Sequence, residues 1–141
     1  VVMFTNSSTD EIRSILSESK SIAVVGISKR EGRASKYVSE YMQREGYTIY
    51  PVNPDLDDWN GLKAYDSVVD IPAAIDIVDA FRRSSAVLPL AGDLVAAGPK
   101  VMWLQQGVVN VEAAQIVSKA GIKVVMDTCI MGEHRSMKLG F

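Results

Sequence analysis

The run Gly26-Ile27-Ser28-Lys29-Arg30-Glu31-Gly32-Arg33-Ala34-Ser35 gathers glycines, hydroxyls and cations in one short stretch. Gly26 lets the backbone turn sharply and approach a ligand, and Gly32 leaves the N-terminus of the next helix unobstructed. Free N–H groups at that N-terminus, with the helix dipole, form a seat for phosphate or pyrophosphate. Ser28 and Ser35 add hydroxyl donors, and Lys29, Arg30, Arg33 and Lys36 place positive charge around the seat. The planar guanidinium suits bidentate contact with phosphate. The spacing is not the dinucleotide fingerprint G-x-G-x-x-G, because Gly26 is followed by Ser28 and then three residues before Gly32. Where such a fold places a carboxylate for ribose hydroxyls, this chain has Asn53, with Asp55 just beyond. A nicotinamide dinucleotide is therefore the weaker alternative.

Phe81-Arg82-Arg83-Ser84 forms a second group, in which an aromatic ring and two guanidiniums can stack on a base or carry a phosphate. The two groups together point to a polyanionic ligand. Coenzyme A fits, with a pyrophosphate and a ribose 3′-phosphate. Cys129 is the only cysteine and His134 the only histidine, which excludes an intramolecular disulfide and a His/Cys metal cluster. Cys129 reads either as a small buried residue or as a redox thiol forming a mixed disulfide with the ligand. His134, in Gly132-Glu133-His134-Arg135, falls in an expected exposed tail over 130–141, where nothing ties it to a nucleophile. The expectation is no catalytic residue and no metal.

These residues need elements to position them. The chain has 141 residues, 48% of them hydrophobic and 23% charged, which suits one domain over 1–141. A net charge of −2 argues against a general attraction to nucleic acid or acidic membranes. The apolar start, Val1 to Phe4, is too short for a signal peptide, and no run approaches the length of a membrane span, so a cytoplasmic location is expected. Short apolar runs at Ser21 to Val25, Tyr47 to Val52, Ile75 to Phe81, Lys100 to Leu104 and Ile122 to Asp127 read as buried strands. Helical spacing covers Thr9 to Ser19 within an N-terminal segment 1–20, Ala34 to Glu45, Ala86 to Ala97 and Asn110 to Ala120. Ser84 or Ser85 is the expected cap of the third helix, and Asn110 of the fourth. The stretch from Pro54 to Pro72 is irregular, with a short strand near Leu62 to Tyr65 and a helical turn near Ser67 to Asp70.

Continuous apolar strands alternating with helices imply a parallel sheet covered on both faces. The expected fold class is α/β, a three-layer Rossmann-like fold with a mostly parallel sheet of five strands, six at most. Ligands bind such sheets beyond the carboxyl ends of the strands. The site is therefore sought at the glycine loop, Asn53, Phe81 to Ser84, Gln105-Gln106-Gly107 and Asp127-Thr128-Cys129.

The stretches Ile22-Ala23-Val24-Val25-Gly26-Ile27-Ser28, Gly32-Arg33-Ala34-Ser35, Tyr50-Pro51-Val52-Asn53-Pro54, Asp76 to Ser84, Leu104-Gln105-Gln106-Gly107 and Val125 to Cys129 resemble the small stand-alone CoA-binding domain proteins. These in turn resemble the N-terminal CoA-binding domain of the succinyl-CoA synthetase α subunit. The resemblance implies that Gly26, Ile27, Ser28, Arg33, Ala34 and Ser35 surround the pyrophosphate. It places Val52 and Asn53 near the adenosine, Phe81, Arg82 and Ser84 along the adenine or pantetheine path, and Gln106 and Gly107 in the same cleft. The family often has Pro in place of Ala34 and a basic residue in place of Thr128. The implied function is a CoA or acyl-CoA binding, carrier or regulatory module without catalysis; a partner-binding subunit with a vestigial pocket is the other alternative.

Overall fold

The computed structural model describes residues 4–141; Val1, Val2 and Met3, most of the apolar start, lie outside the described residues. In chain order the elements are α1 (Thr9–Glu18), β1 (Ser21–Val25), α2 (Ala34–Arg44), β2 (Thr48–Val52), β3 (Asp58–Trp59), β4 (Leu62–Lys63), β5 (Ile77–Ala80), α3 (Leu88–Ala97), β6 (Val101–Leu104), α4 (Val111–Lys119), β7 (Lys123–Val125) and α5 (Ile130–Leu139). Five strands form one parallel sheet in the order β2-β1-β5-β6-β7. This is a Rossmann-like α/β fold. The chain steps from β1 out to β2 and then returns to pair β5 on the other side of β1, so the strand order reverses between β1 and β5. The carboxyl ends of neighbouring strands open a crevice at such a reversal.

The sheet is covered on both faces, which is why its central strands read as unbroken apolar runs. Every residue of β1, β5 and β6 is buried. Alternation sends Ile22, Val24, Ile77 and Trp103 towards one core, shared with Ile15 and Leu16 of α1, Val38 and Met42 of α2, and Ile130 of α5. Ala23, Val25, Val78, Ala80, Met102 and Leu104 face the other core, under Leu90 and Leu94 of α3 and Ala114 and Val117 of α4. None of the helices is long and apolar enough to cross a membrane, among the described residues.

Helix starts follow local side-chain chemistry where the chain supplies it. Ser8 and Glu11 form a reciprocal capping box at α1, and Asn110 accepts from the Ala113 N–H at α4. The third helix departs from expectation. A short 3-10 turn at Ser84–Ala86 precedes α3, which begins at Leu88 with Pro89 in its first turn and no side-chain cap. Proline lacks an N–H, so the first turn leaves one fewer donor to satisfy. The Ser84 hydroxyl is used elsewhere: it accepts from the Val109 N–H at 3.0 Å.

The irregular stretch holds a separate two-stranded ribbon, β3 and β4, turned by Asn60-Gly61 with positive φ at both residues. The main sheet therefore keeps five strands, and the chain just beyond the ribbon touches it through a bridge between Val52 and Tyr65. A 3-10 turn at Val68–Asp70, capped by Ser67, sits where a helical turn is expected. The largest difference lies at the C-terminus: instead of an exposed tail, 130–139 is α5, packed on α1 and α2. Ile130 and His134 are buried, and His134 Nδ1 lies 2.9 Å from the Tyr41 hydroxyl.

Asp76, just before β5, ties together the starts of three strands. Its carboxylate accepts from the N–H groups of Lys20 at 2.7 Å and Ser21 at 3.2 Å, and pairs with Lys100 at 3.4 Å. Burial pushes this carboxyl up, but the two N–H groups and Lys100 hold it below the usual range on balance. A depressed carboxyl stabilises the fold above its unfolded pKa, and that contribution is lost as pH falls through the folded value. Asp76→Asn should cost about 1–2 kcal/mol in urea denaturation at pH 7, with the gap to the parent closing as the pH drops below the ordinary aspartate range.

Candidate functional site

Gly26 ends β1 with φ +81°, and a Cβ built there would sit 2.5 Å from the Phe81 carbonyl oxygen. No other residue type fits this crossing without moving the end of β5. The loop beyond it is held from three sides. The Asn53 amide donates to the Ile27 carbonyl at 2.9 Å, and the Trp59 indole donates to the Ser28 carbonyl at 2.9 Å. The Ser28 N–H donates to the Ser35 hydroxyl at 3.0 Å, and the Arg30 N–H to the Ser28 hydroxyl at 3.0 Å. Both serine oxygens thus act as acceptors inside the loop, which leaves each hydroxyl proton free to donate outward.

A cleft of about 800 Å³ opens over this loop and across the strand ends. Its lining comes from the glycine loop, the start of α2, the β2 end at Asn53 and Asp55, the β5 end at Phe81 and Arg82, the β6 end at Gln105, Gln106 and Val108, and Cys129 ahead of α5. The helices α2 and α5 both begin at the cleft without a side-chain cap, so their first N–H groups are not taken up by a capping side chain. Charge is divided unevenly around it. Lys29 is bound to Asp58 at 2.8 Å, and Lys36 to Glu31 at 2.8 Å and Glu40 at 3.2 Å. Arg30, Arg33 and Arg82 line the cleft and have no carboxylate partner among the described residues. Two of the four loop cations expected at the seat are thus committed elsewhere, and the arginines remain available.

Beneath the cleft, Asp79 lies in the middle of the sheet at 1% exposure. The Gln105 carboxamide donates to it at 2.7 Å. Burial pushes the Asp79 carboxyl up to about 8, while the Gln105 hydrogen bond draws it down.

Of the residues expected from the sequence, the cleft brings together Gly26, Ser28, Arg33, Ala34, Ser35, Asn53, Phe81, Arg82, Gln106 and Cys129. Ile27 and Val52 do not line it; their side chains are buried, one in each core. Ser84 and Gly107 do not line it either; the Gly107 N–H donates to Asp127, and Ser84 bridges the loops after β5 and β6. His134 is not at the cleft; it belongs to the α2–α5 contact, where burial pushes its imidazole pKa down. Sequence reasoning missed Tyr37, Val38 and Val108 in the lining, and the buried Asp79. Tyr37 and Val38 were legible from their place near the start of the helix after the glycine loop; Asp79 inside an apolar strand gave no such signal.

A family model described as CoA binding domain matches residues 20–135. An uncharacterized protein of Bacillus subtilis, YneT, is 46% identical over 133 residues, which cover 94% of this chain and 98% of that one. A hypothetical protein from Pyrococcus horikoshii OT3 has the same fold at a TM-score of 0.90 and 33% identity, covering 98% of this chain and 99% of the other. The 4-hydroxybutyrate–CoA ligase (ADP-forming) of Nitrosopumilus maritimus is 28% identical over 122 residues, but the match spans only 18% of that enzyme.

The crossing at Gly26 can be tested directly. Gly26→Ala combines a disfavoured positive φ with a clash against backbone, and should destabilise the protein by roughly 1–3 kcal/mol in urea denaturation. The buried carboxyl gives a second test. Between the ordinary aspartate range and about 8 the folded state keeps a proton that the unfolded state has lost, so stability falls as pH rises across that window. Asp79→Asn should lack this fall, matching the parent near pH 4 and melting several degrees above it at pH 9.

Proposed function

The chain belongs to the CoA-binding domain family, and from that premise we propose that its cleft binds coenzyme A, or an acyl-CoA, as a carrier or regulatory module without catalysis of its own. The observation that carries this reading is the cluster of Arg30, Arg33 and Arg82, free of carboxylate partners, around the uncapped start of α2 at the strand reversal. Three unneutralised guanidiniums on a chain of net charge −2 suit a ligand with several phosphate groups. The residues present fit such a group. The N–H donors at the start of α2 and the outward hydroxyl protons of Ser28 and Ser35 would take a pyrophosphate, and the arginines would add charge-assisted bonds to it and to a ribose phosphate.

The order of the strands suggests a direction for the ligand. Asn53 and Asp55 follow β2 at one edge of the sheet, and Cys129 follows β7 at the other. A nucleotide end near the glycine loop would send the pantetheine arm across Phe81, Gln105 and Gln106 towards Cys129, bringing the protein's thiol close to that of the ligand. The ADP-forming ligase that shares this domain is a far longer protein, and nothing of its reaction is carried over.

A thermal-shift titration tests the proposal. At a hundredfold excess over Kd, coenzyme A should add about 2.7 kcal/mol of stability, a rise on the order of ten degrees or somewhat less for a domain of this size. Dephospho-CoA should give a smaller rise and NAD none. Arg33→Ala should weaken coenzyme A by about 1.5–3 kcal/mol, or roughly ten- to a hundredfold. No shift with coenzyme A, in protein shown free of co-purified ligand, overturns the reading in favour of partner binding.

A further inference from the structure

We propose that Asp79 is a positioning residue for ligand recognition, its proton deciding which end of the Gln105 carboxamide faces the cleft. The inference rests on coenzyme A occupying that cleft. Gln105 is 5% exposed and lines the cleft, and its Nε2 donates to Asp79 Oδ1 at 2.7 Å. Among the described residues Gln105 is the sole hydrogen-bond partner of the Asp79 side chain, and the carboxamide oxygen of Gln105 has no protein partner. The two groups meet through one contact rather than a paired ring, so the atom that Gln105 gives to Asp79 is the one it withholds from the ligand.

The chemistry of that contact depends on a single proton. An ionised carboxylate only accepts, so Gln105 must turn its NH2 inward and present its oxygen to the cleft. A protonated carboxyl carries an O–H that, once buried, needs an acceptor. The Gln105 oxygen is the acceptor within reach, and taking it leaves the NH2 facing the cleft. The cleft wall thereby changes from acceptor to donor without any movement of the backbone. The pantetheine arm of coenzyme A contains amide N–H and carbonyl groups, which can use either.

The surroundings leave this proton to local control. Val24 and Trp103 flank Asp79 in the sheet, and Val38 and Ile130 cover that face from α2 and α5; none carries charge. On the cleft side the titratable groups are Arg30 and Arg33 ahead of α2, Tyr37 within α2, Arg82 after β5, Asp55 after β2 and Cys129 ahead of α5. None of them contributes to the upward shift of Asp79, which comes from burial.

The test uses the S-methyl thioether of coenzyme A and a Cys129→Ser background, so that no thiol titrates, with calorimetric Kd values from pH 7 to 9.5. Affinity should change across this range by about fivefold or more, the worth of one hydrogen bond. It should rise if a ligand N–H lies over Gln105 and fall if a carbonyl does. Adding Asp79→Asn should flatten the profile. A flat profile without Asp79→Asn, or the same slope with it, overturns the proposal. A second readout needs no ligand: in the free protein the Gln105 side-chain NH2 resonances should titrate with the midpoint of the Asp79 carboxyl carbon. Resonances that ignore that midpoint refute the coupling, whereas resonances that follow it in a protein that fails to bind coenzyme A refute only the ligand assignment.

Discussion

Where β1 ends, the backbone of Gly26 passes so near the Phe81 carbonyl that a single added carbon would lie at 2.5 Å from oxygen. The rest of the cleft is arranged around that approach. It allows the β1 and β5 ends to lie side by side at the strand reversal and turns the following loop over them. The loop then has to be fixed by groups from outside itself, and Asn53 and Trp59, from the far side of β2, supply donors to its carbonyls. The ribbon β3–β4 acquires a purpose in this light: it carries Trp59, fully buried, to the back of the loop.

The cations of the loop divide by side-chain type. Both lysines are paired with carboxylates of the protein, whereas Arg30 and Arg33, beside Arg82, have no carboxylate partner among the described residues. An ammonium is a compact point charge easily satisfied by a neighbouring carboxylate, while a guanidinium offers a flat fork of donors suited to an incoming oxyanion. The net charge of the chain hides this, since it sums the paired and unpaired groups alike. A local excess of positive charge exists at the cleft because the neutralising carboxylates sit on the lysines.

Much of this was legible in the residues themselves. Buried parallel strands announce themselves as unbroken apolar runs, and the rule that ligands sit beyond strand ends picked out Gly26, Asn53, Phe81, Arg82 and Gln106 from distant parts of the chain. The side chains of Ile27 and Val52 turn into the two cores instead, because adjacency in sequence says nothing about which way a residue near a strand end faces. The Asn60-Gly61 turn was readable as a hairpin signal between Trp59 and Leu62. The helix over 130–139 was not, because Gly132 and charged residues break its apolar spacing, and its burial depends on Tyr41 and Met42 of α2. Ser84 offered a helix cap by local rules but was claimed by the Val109 N–H, a contact that only tertiary structure creates. Asp79 gave no signal inside its apolar strand, and its meaning depends on Gln105 standing two residues beyond its cross-strand partner Trp103.

The cleft wall is assembled from segments spread between Gly26 and Cys129, the last of which leads into α5. During synthesis the glycine loop therefore leaves the ribosome long before its opposite wall exists. At ordinary elongation rates the ~100 intervening residues take roughly 5–20 seconds to make. Through that interval Val38 and Met42 lack their cover from Ile130, and Arg30 and Arg33 wait for Arg82 and then for the rest of the wall. A ligand that needs the whole wall cannot assist the nascent chain; it can only reward the finished one.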